Sequence, residues 1–99
     1  MSEILIVTRH KPLIAWLTAH GITGQVIEQA TPEDVRGKDV YGILPLHLSA
    51  VTASVTEVSM PGLTLEQRKK NAAGDLTVEE MDAAGAHLRR FIVREDKPK

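Results

Sequence analysis

The chain has 99 residues, of which 42% are hydrophobic and 25% charged, with a net charge of −1 and no cysteine. This length allows one domain with a modest core, and the lack of cysteine excludes disulfides and thiolate zinc sites. The near-neutral charge argues against a general nucleic-acid-binding surface, so an anion site must rest on local basic clusters. The N-terminal residues match neither a signal peptide nor a membrane span, and we expect a cytoplasmic protein.

Strand and helix signals alternate from the start of the chain. The apolar, β-branched run Ile4–Val7 predicts a buried parallel strand that ends at a polar corner over residues 8–11. A helix begins at Pro12 and stops at Gly21, and a short strand follows over residues 25–28. This alternation is typical of a parallel sheet with right-handed crossovers.

The middle of the chain repeats the pattern. A capped helical turn begins at Thr31 and is followed by a third strand over residues 40–44. Pro45 begins a second main helix that we expect to reach about Ala53. A fourth strand covers residues 55–60.

The last third is predicted to be mainly helical. Residues 64–75 form a short helix followed by a mobile loop over residues 71–74, and Thr77 begins the longest helix, whose apolar stripe extends to Leu88. Residues 91–93 either extend that helix or form a last strand. We therefore predict one α/β domain over residues 1–94, with a Rossmann-like, mostly parallel sheet of four or five strands, and a loose tail over residues 95–99.

Two helix beginnings lack a capping side chain. The helices that begin near Thr31, Thr64 and Thr77 have one, whereas those at Pro12 and Pro45 do not. The free N–H groups after these prolines attract anions, unless water or a neighbouring loop caps them. Strands one and three are commonly neighbours in such sheets, with strand two outside strand one. Both beginnings then face the crevice where ligands bind, and the sequence predicts an anion site there.

The candidate site residues come from these corners and from a later basic run. Arg9 is suited to stabilise phosphate charge, and His10 and His47 are suited to transfer protons near neutral pH. The basic run at residues 68–70 is interpreted either as a solvated face or as a flap that closes on phosphates, hinged at Gly74. The residues predicted to bind substrate are Thr8, Lys11, Pro45, Leu46, Ser49, Arg68 and Lys69.

Other kinds of site have no support in the sequence. No Gly-rich dinucleotide motif and no Walker loop is present, and the four histidines lack metal-ligand spacing. We therefore predict no cofactor and no metal. Trp16 fits the apolar face of its helix and is predicted to lie in the core, and His20 at that helix's C-terminus is predicted to be structural.

Three segments resemble one protein family. They are residues 8–10 with 15–17 and 21–22; residues 42–50, Gly-Ile-Leu-Pro-Leu-His-Leu-Ser-Ala; and residues 75–81 followed by Gly85 and Ala86. In this order, over nearly the whole chain, they resemble small CRISPR-associated proteins of type III systems, which are similar to a stand-alone sensor domain of the CARF type.

This resemblance implies a homodimeric ring nuclease. Such a protein binds a cyclic oligoadenylate, most often cyclic tetra-adenylate, over the strand carboxyl ends and cuts it by metal-independent attack of a ribose 2′-hydroxyl, which ends the antiviral signal. Neither a membrane nor duplex nucleic acid is an expected partner. Relatives of this kind carry a small polar residue at the position of His47, so binding is its alternative role. The alternatives for the protein are a non-catalytic sensor or sponge for the same ring, and a small α/β protein that binds a phosphorylated metabolite.

Overall fold

The computed structural model describes residues 3–96, which form one five-stranded sheet with five helices. The elements in chain order are β1 (Ile4–Val7), α1 (Lys11–Ala19), β2 (Gln25–Ile27), α2 (Pro32–Val35), β3 (Asp39–Gly42), α3 (Leu46–Ser49), β4 (Ser54–Ser59), α4 (Leu65–Ala73), α5 (Val78–Ala83) and β5 (His87–Phe91). No helix within these residues is long and apolar enough to cross a membrane.

The strands are arranged in the order β2-β1-β3-β4-β5. Strands β1 to β4 are parallel, and β5 pairs with β4 in the antiparallel sense. Val7 at the end of β1 is in register with Ile27 of β2 on one side and with Gly42 of β3 on the other. The predicted mostly parallel sheet is confirmed, and so is the prediction that strands one and three are neighbours with strand two outside them.

Both faces of the central strands are buried, which explains the unbroken apolar run in β1. Alternate residues of a strand point to opposite faces, and each face here has its own apolar cluster. The face covered by α2 and α3 contains the buried residues Leu5, Val7, Val35, Val40 and Leu48. The face covered by α1 and α5 contains Ile6, Trp16, Leu17, Leu76 and Met81.

The C-terminal third differs from the prediction of a long last helix. Helix α5 ends at Ala83, and Gly85 adopts φ +80°, a left-handed conformation that stops a helix. His87 and Leu88 therefore lie in β5 rather than on the helix. The predicted stripe is confirmed at Val78, Met81 and Ala84, which pack against the core, and only its extension to Leu88 is wrong, because the spacing of Leu88 matches a helix by coincidence. All five residues of this edge strand are exposed, so its sequence carries no strong burial pattern.

Two further boundaries differ. Helix α3 ends at Ser49 rather than near Ala53, since the N–H of Ala53 instead donates to the carbonyl of Lys38 and leads the chain into β4. Helix α4 continues to Ala73, so the mobile loop predicted over residues 71–74 is wrong. Gly74 caps this helix with φ +80°.

Candidate functional site

A cleft lies over the carboxyl ends of the parallel strands, at the side of α1, α4 and α5. Its volume is about 530 Å³. This is the switch point of a doubly wound sheet, where the crossovers from β1 and β3 leave in opposite directions. The residues that line the cleft are Val7, Thr8, Arg9, His10, Leu13, Glu28, Gly42, Ile43, Glu57, Val58, Met60, Asn71 and Met81.

The corner after β1 brings three predicted site residues into the cleft. The N–H of Thr8 donates to the carbonyl of Ile27 at 3.0 Å, which ties this corner to the end of β2. The N–H of His10 donates to the Thr8 hydroxyl at 3.0 Å, which closes a tight turn before α1. Thr8, Arg9 and His10 therefore line the cleft from a backbone that local hydrogen bonds define.

The beginning of α1 offers fewer free donors than predicted. His10 is the N-cap and makes no capping hydrogen bond with its side chain, which confirms the uncapped start. Pro12 has no N–H, however, and the N–H of Leu13 already donates to the carbonyl of His10 at 3.1 Å. The expected free N–H after Pro12 is thus occupied. For the N–H of Lys11, the described residues contain no acceptor.

The helix after β3 also begins without a capping side chain, and only the first residues of this corner line the cleft. Pro45 is the N-cap of α3, and no side chain caps this helix. Gly42 and Ile43 line the cleft, whereas Pro45, Leu46, His47 and Ser49 are not among its lining residues. A four-residue helix also has only a small dipole, so this end contributes N–H donors rather than a strong field.

The predicted residues on α3 have different environments. Leu46 is 78% exposed and His47 is exposed, whereas Ser49 is buried with 4% exposure. The Ser49 hydroxyl donates to the carbonyl of Pro45 at 3.1 Å, so it stabilises the helix from within. Ile43, which lines the cleft, is 82% exposed, so two exposed apolar side chains lie within four residues at this corner.

Gly42 allows β1 and β3 to approach closely at the bottom of the cleft. It has φ +137°, and a Cβ atom there would lie 2.2 Å from the carbonyl oxygen of Val7. No side chain fits that space, and few residues other than glycine adopt that φ. The glycine thus allows the backbones of β1 and β3 to meet in the cleft, a role that the sequence analysis did not assign to it.

Several cations near the cleft are free of carboxylates. Among the described residues, Arg9, Lys11, Arg68 and Lys69 form no ion pair. Lys70, the third member of the basic run, instead pairs with Glu80 at 2.8 Å and fastens α4 to α5. A cation without an ion-pair partner is available to bind an anionic ligand. Among the predicted basic residues, Arg9 is the one that lines the cleft.

Helix α4 presents a residue that the sequence analysis placed in a loop. Asn71 lines the cleft, and Arg68 lies one turn earlier on the same side of the helix. Lys69 is two residues from Asn71 and therefore lies about 160° away around the helix axis. Arg68 is thus on the side of α4 that carries Asn71 and Lys69 is on the opposite side, and neither residue is among those that line the cleft. The capping pair of Thr64 and Gln67 was the signal that α4 continues as a helix to Asn71.

Two carboxylates, which the sequence analysis also did not identify, belong to residues that line the cleft. Glu57 follows Thr56 on β4, and its neighbour Val58 packs in the cluster beneath α1 and α5. The Glu57 side chain therefore points to the other face, where Arg89 lies 3.8 Å from it. Glu28 directly follows β2, is exposed and forms no ion pair within residues 3–96. Glu28 is thus the acidic group of the cleft.

Comparison with known proteins gives one match. A protein-family model described as "Putative CRISPR-associated protein (Cas_VVA1548)" matches residues 5–94. No curated protein and no solved structure matches the chain. The matched residues include nearly every element from β1 to β5 and all residues that line the cleft.

Proposed function

The chain belongs to this CRISPR-associated protein family, and on that premise we propose that it is a ring nuclease, which cuts cyclic tetra-adenylate and so ends the antiviral signal of a type III system. The observation that carries the proposal is the convergence of Thr8, Arg9 and His10 on one cleft at the β1–β3 switch point. An unpaired arginine stabilises charge that develops on a phosphate and a histidine transfers a proton near neutral pH, so these two side chains suit phosphodiester cleavage without a metal.

The reaction uses a nucleophile that the substrate itself carries. A ribose 2′-hydroxyl attacks the adjacent phosphorus, a new P–O bond forms, and the bond to the 5′-oxygen of the next nucleotide breaks. The products carry a 2′,3′-cyclic phosphate and a 5′-hydroxyl. His10 takes the proton from the attacking hydroxyl or supplies one to the leaving oxygen, while Arg9 and the Lys11 N–H stabilise the added negative charge.

The size of the cleft supports a shared site. A volume of about 530 Å³ is in the range of sites for one small molecule, and a ring of four nucleotides is larger than such ligands. Two copies that face each other supply two clefts to one ring. The exposed apolar side chains of Ile43 and Leu46 lie at the corner after β3, where a homodimer interface buries them. His47, next to Leu46, then lies at that interface.

A second candidate function has one observation in its favour. His10 is the one histidine among the residues that line the cleft. Acid–base catalysis of this reaction uses both an acceptor and a donor of a proton, and a single histidine does not serve both at once. A non-catalytic sensor or sponge for the same ring needs only Arg9 and the N–H donors.

The test is incubation of the protein with excess cyclic tetra-adenylate in the presence of EDTA, followed by chromatography. The ring nuclease gives linear products that end in a 2′,3′-cyclic phosphate. We expect Arg9→Ala and His10→Gln to slow cutting on the order of 10²-fold or more. Lys69→Ala is the matched control, because it removes an exposed cation that does not line the cleft.

The other outcomes separate the remaining functions. Ring that is bound but stays intact identifies the sensor or sponge. A protein that does not bind the ring at micromolar concentration favours a binder of phosphorylated metabolites. His47→Gln compares the two histidines directly: an effect equal to that of His10→Gln places His47 in the site, and full cutting by both variants refutes the assignment of these histidines.

A further inference from the structure

The carboxylate of Glu28 has no role in a cleft that binds only phosphate. An ionised carboxylate accepts hydrogen bonds and repels phosphate, and here it lies in the same cleft as Arg9 and His10. Within residues 3–96 Glu28 forms no ion pair, so it does not serve as a counter-ion for Arg9. Both charges are thus available to different groups of one ligand.

Glu28 lies beside the corner that carries Arg9, at the end of the neighbouring strand of the sheet. Strand β2 pairs with β1 from outside, and the hydrogen bond from Thr8 N–H to the carbonyl of Ile27 holds the two strand ends together. Glu28 is the next residue, one strand spacing from the corner that carries Arg9. Arg9 and Glu28 thus lie on neighbouring strand ends of one cleft, where a phosphate and its attached ribose could contact one residue each. In nucleotide-binding sheets of this topology, an acid after the second strand accepts hydrogen bonds from ribose hydroxyls.

We infer that Glu28 accepts a hydrogen bond from a ribose 2′-hydroxyl and makes the cleft selective for ribonucleotides over their deoxy counterparts. This inference rests on the proposed function, because it assigns Glu28 to the sugar of the same ligand. The hydroxyl donates, the carboxylate accepts, and a deoxyribose has no donor at that position. Burying the carboxylate beside a deoxyribose without a partner weakens binding.

The experiment measures affinity for two rings by calorimetry: cyclic tetra-adenylate and its analogue with every 2′-hydroxyl replaced by hydrogen. A hydrogen bond to a charged group predicts that the wild type prefers the ribose ring by about 10-fold to 100-fold. In Glu28→Ala we expect this preference to fall to within about 3-fold of unity, and in Glu28→Gln to fall in part, since the amide oxygen still accepts. The ratio of affinities is the readout, because loss of a negative charge strengthens binding of both rings alike.

Glu79→Gln is the matched control: it removes an exposed carboxylate on α5 that does not line the cleft, and we expect the wild-type preference. Glu28→Ala with the wild-type preference overturns the inference and leaves the proposed function intact. A wild type that binds both rings equally also overturns only the inference. A wild type that binds neither ring refutes the proposed function, and the inference with it. Circular dichroism establishes that each variant is folded.

Discussion

The glycine at the bottom of the cleft offers the sharpest test of the structure. In Gly42→Ala, a Cβ atom would lie 2.2 Å from the carbonyl oxygen of Val7. Ordinary contacts of that kind are longer by more than 1 Å, so β1 and β3 must separate at the end where their crossovers diverge. The alanine must also adopt φ +137°, a conformation that side chains rarely adopt.

The cost of the backbone conformation and the cost of the steric clash can be estimated one at a time. The unfavourable φ costs about 1–3 kcal/mol. Displacing packed backbone adds about 1–3 kcal/mol, the usual range for overpacking. The sum is about 2–6 kcal/mol, a large part of the about 5–15 kcal/mol that stabilises a typical domain. At about 4–8 °C for each kcal/mol in a chain of this size, the melting temperature falls by at least about 8 °C.

The matched control is Gly37→Ala. Gly37 also has a positive φ of +69°, but nothing lies within 4 Å of the position of its Cβ. This variant therefore bears the conformational cost alone, about 1–2 kcal/mol. Urea unfolding of the two variants measures the difference in destabilisation, which contains the steric cost at Gly42 and the additional cost of its φ of +137°. Equal destabilisation of the two variants would refute the close approach of β1 and β3, and Gly42→Ala with unchanged ring binding would refute its link to the cleft.

Two further predictions concern contacts that join the helices. Asp82→Ala should lower the free energy of unfolding by about 1–3 kcal/mol, because the buried indole N–H of Trp16 donates to this carboxylate at 2.8 Å and would lose its acceptor. The control is Asp82→Asn, whose amide oxygen still accepts a hydrogen bond. Equal losses of stability in the two variants would contradict the reasoning. Hydrogen bonds from Lys70 and from the Thr77 backbone hold the pKa of Glu80 below its usual 4.5. Because the folded-state pKa is the lower one, this contribution is present above pH 4.5 and is lost as the pH falls through the folded-state value. Melting curves of wild type and Glu80→Gln should therefore differ at pH 7 and converge at low pH, and a constant difference would contradict the assignment.

The first half of the fold was predictable because its signals are local. The unbroken apolar run of β1 indicated a strand buried on both faces, and the strand–helix alternation implied a parallel sheet with right-handed crossovers. The capping side chain predicted at Thr31 is present, and so are those predicted later in the chain at Thr64 and Thr77. Each of these signals depends on residues within four positions of one another, so no knowledge of distant contacts was needed.

The last third was not predictable in the same way. The residues of β5 are exposed and include two arginines, and they form a strand because β4 offers them a free edge. Arg89 and Arg90 then find Glu57 and Asp39, which are distant in the chain. Pairing with a distant strand outweighed a local spacing that resembled a helix.

The site was predicted in part. The topology of alternating strands and helices indicated that the corners after β1 and β3 would meet, and the residues at the first corner do line the cleft. The sequence alone did not assign Glu28 and Asn71 to it, because one follows an outer strand and the other lies on a helix that returns from far along the chain.

What the sequence by itself determined is the order of elements from β1 to β4, the absence of cysteine chemistry, and the polar corner that ends β1. These follow from composition and from short-range patterns of burial and capping. The tertiary structure decided which charges remain unpaired, which N–H groups are already occupied, and which residues share the cleft. Those properties depend on distances between residues far apart in the chain, and such distances exist only once the strands have taken their order in the sheet.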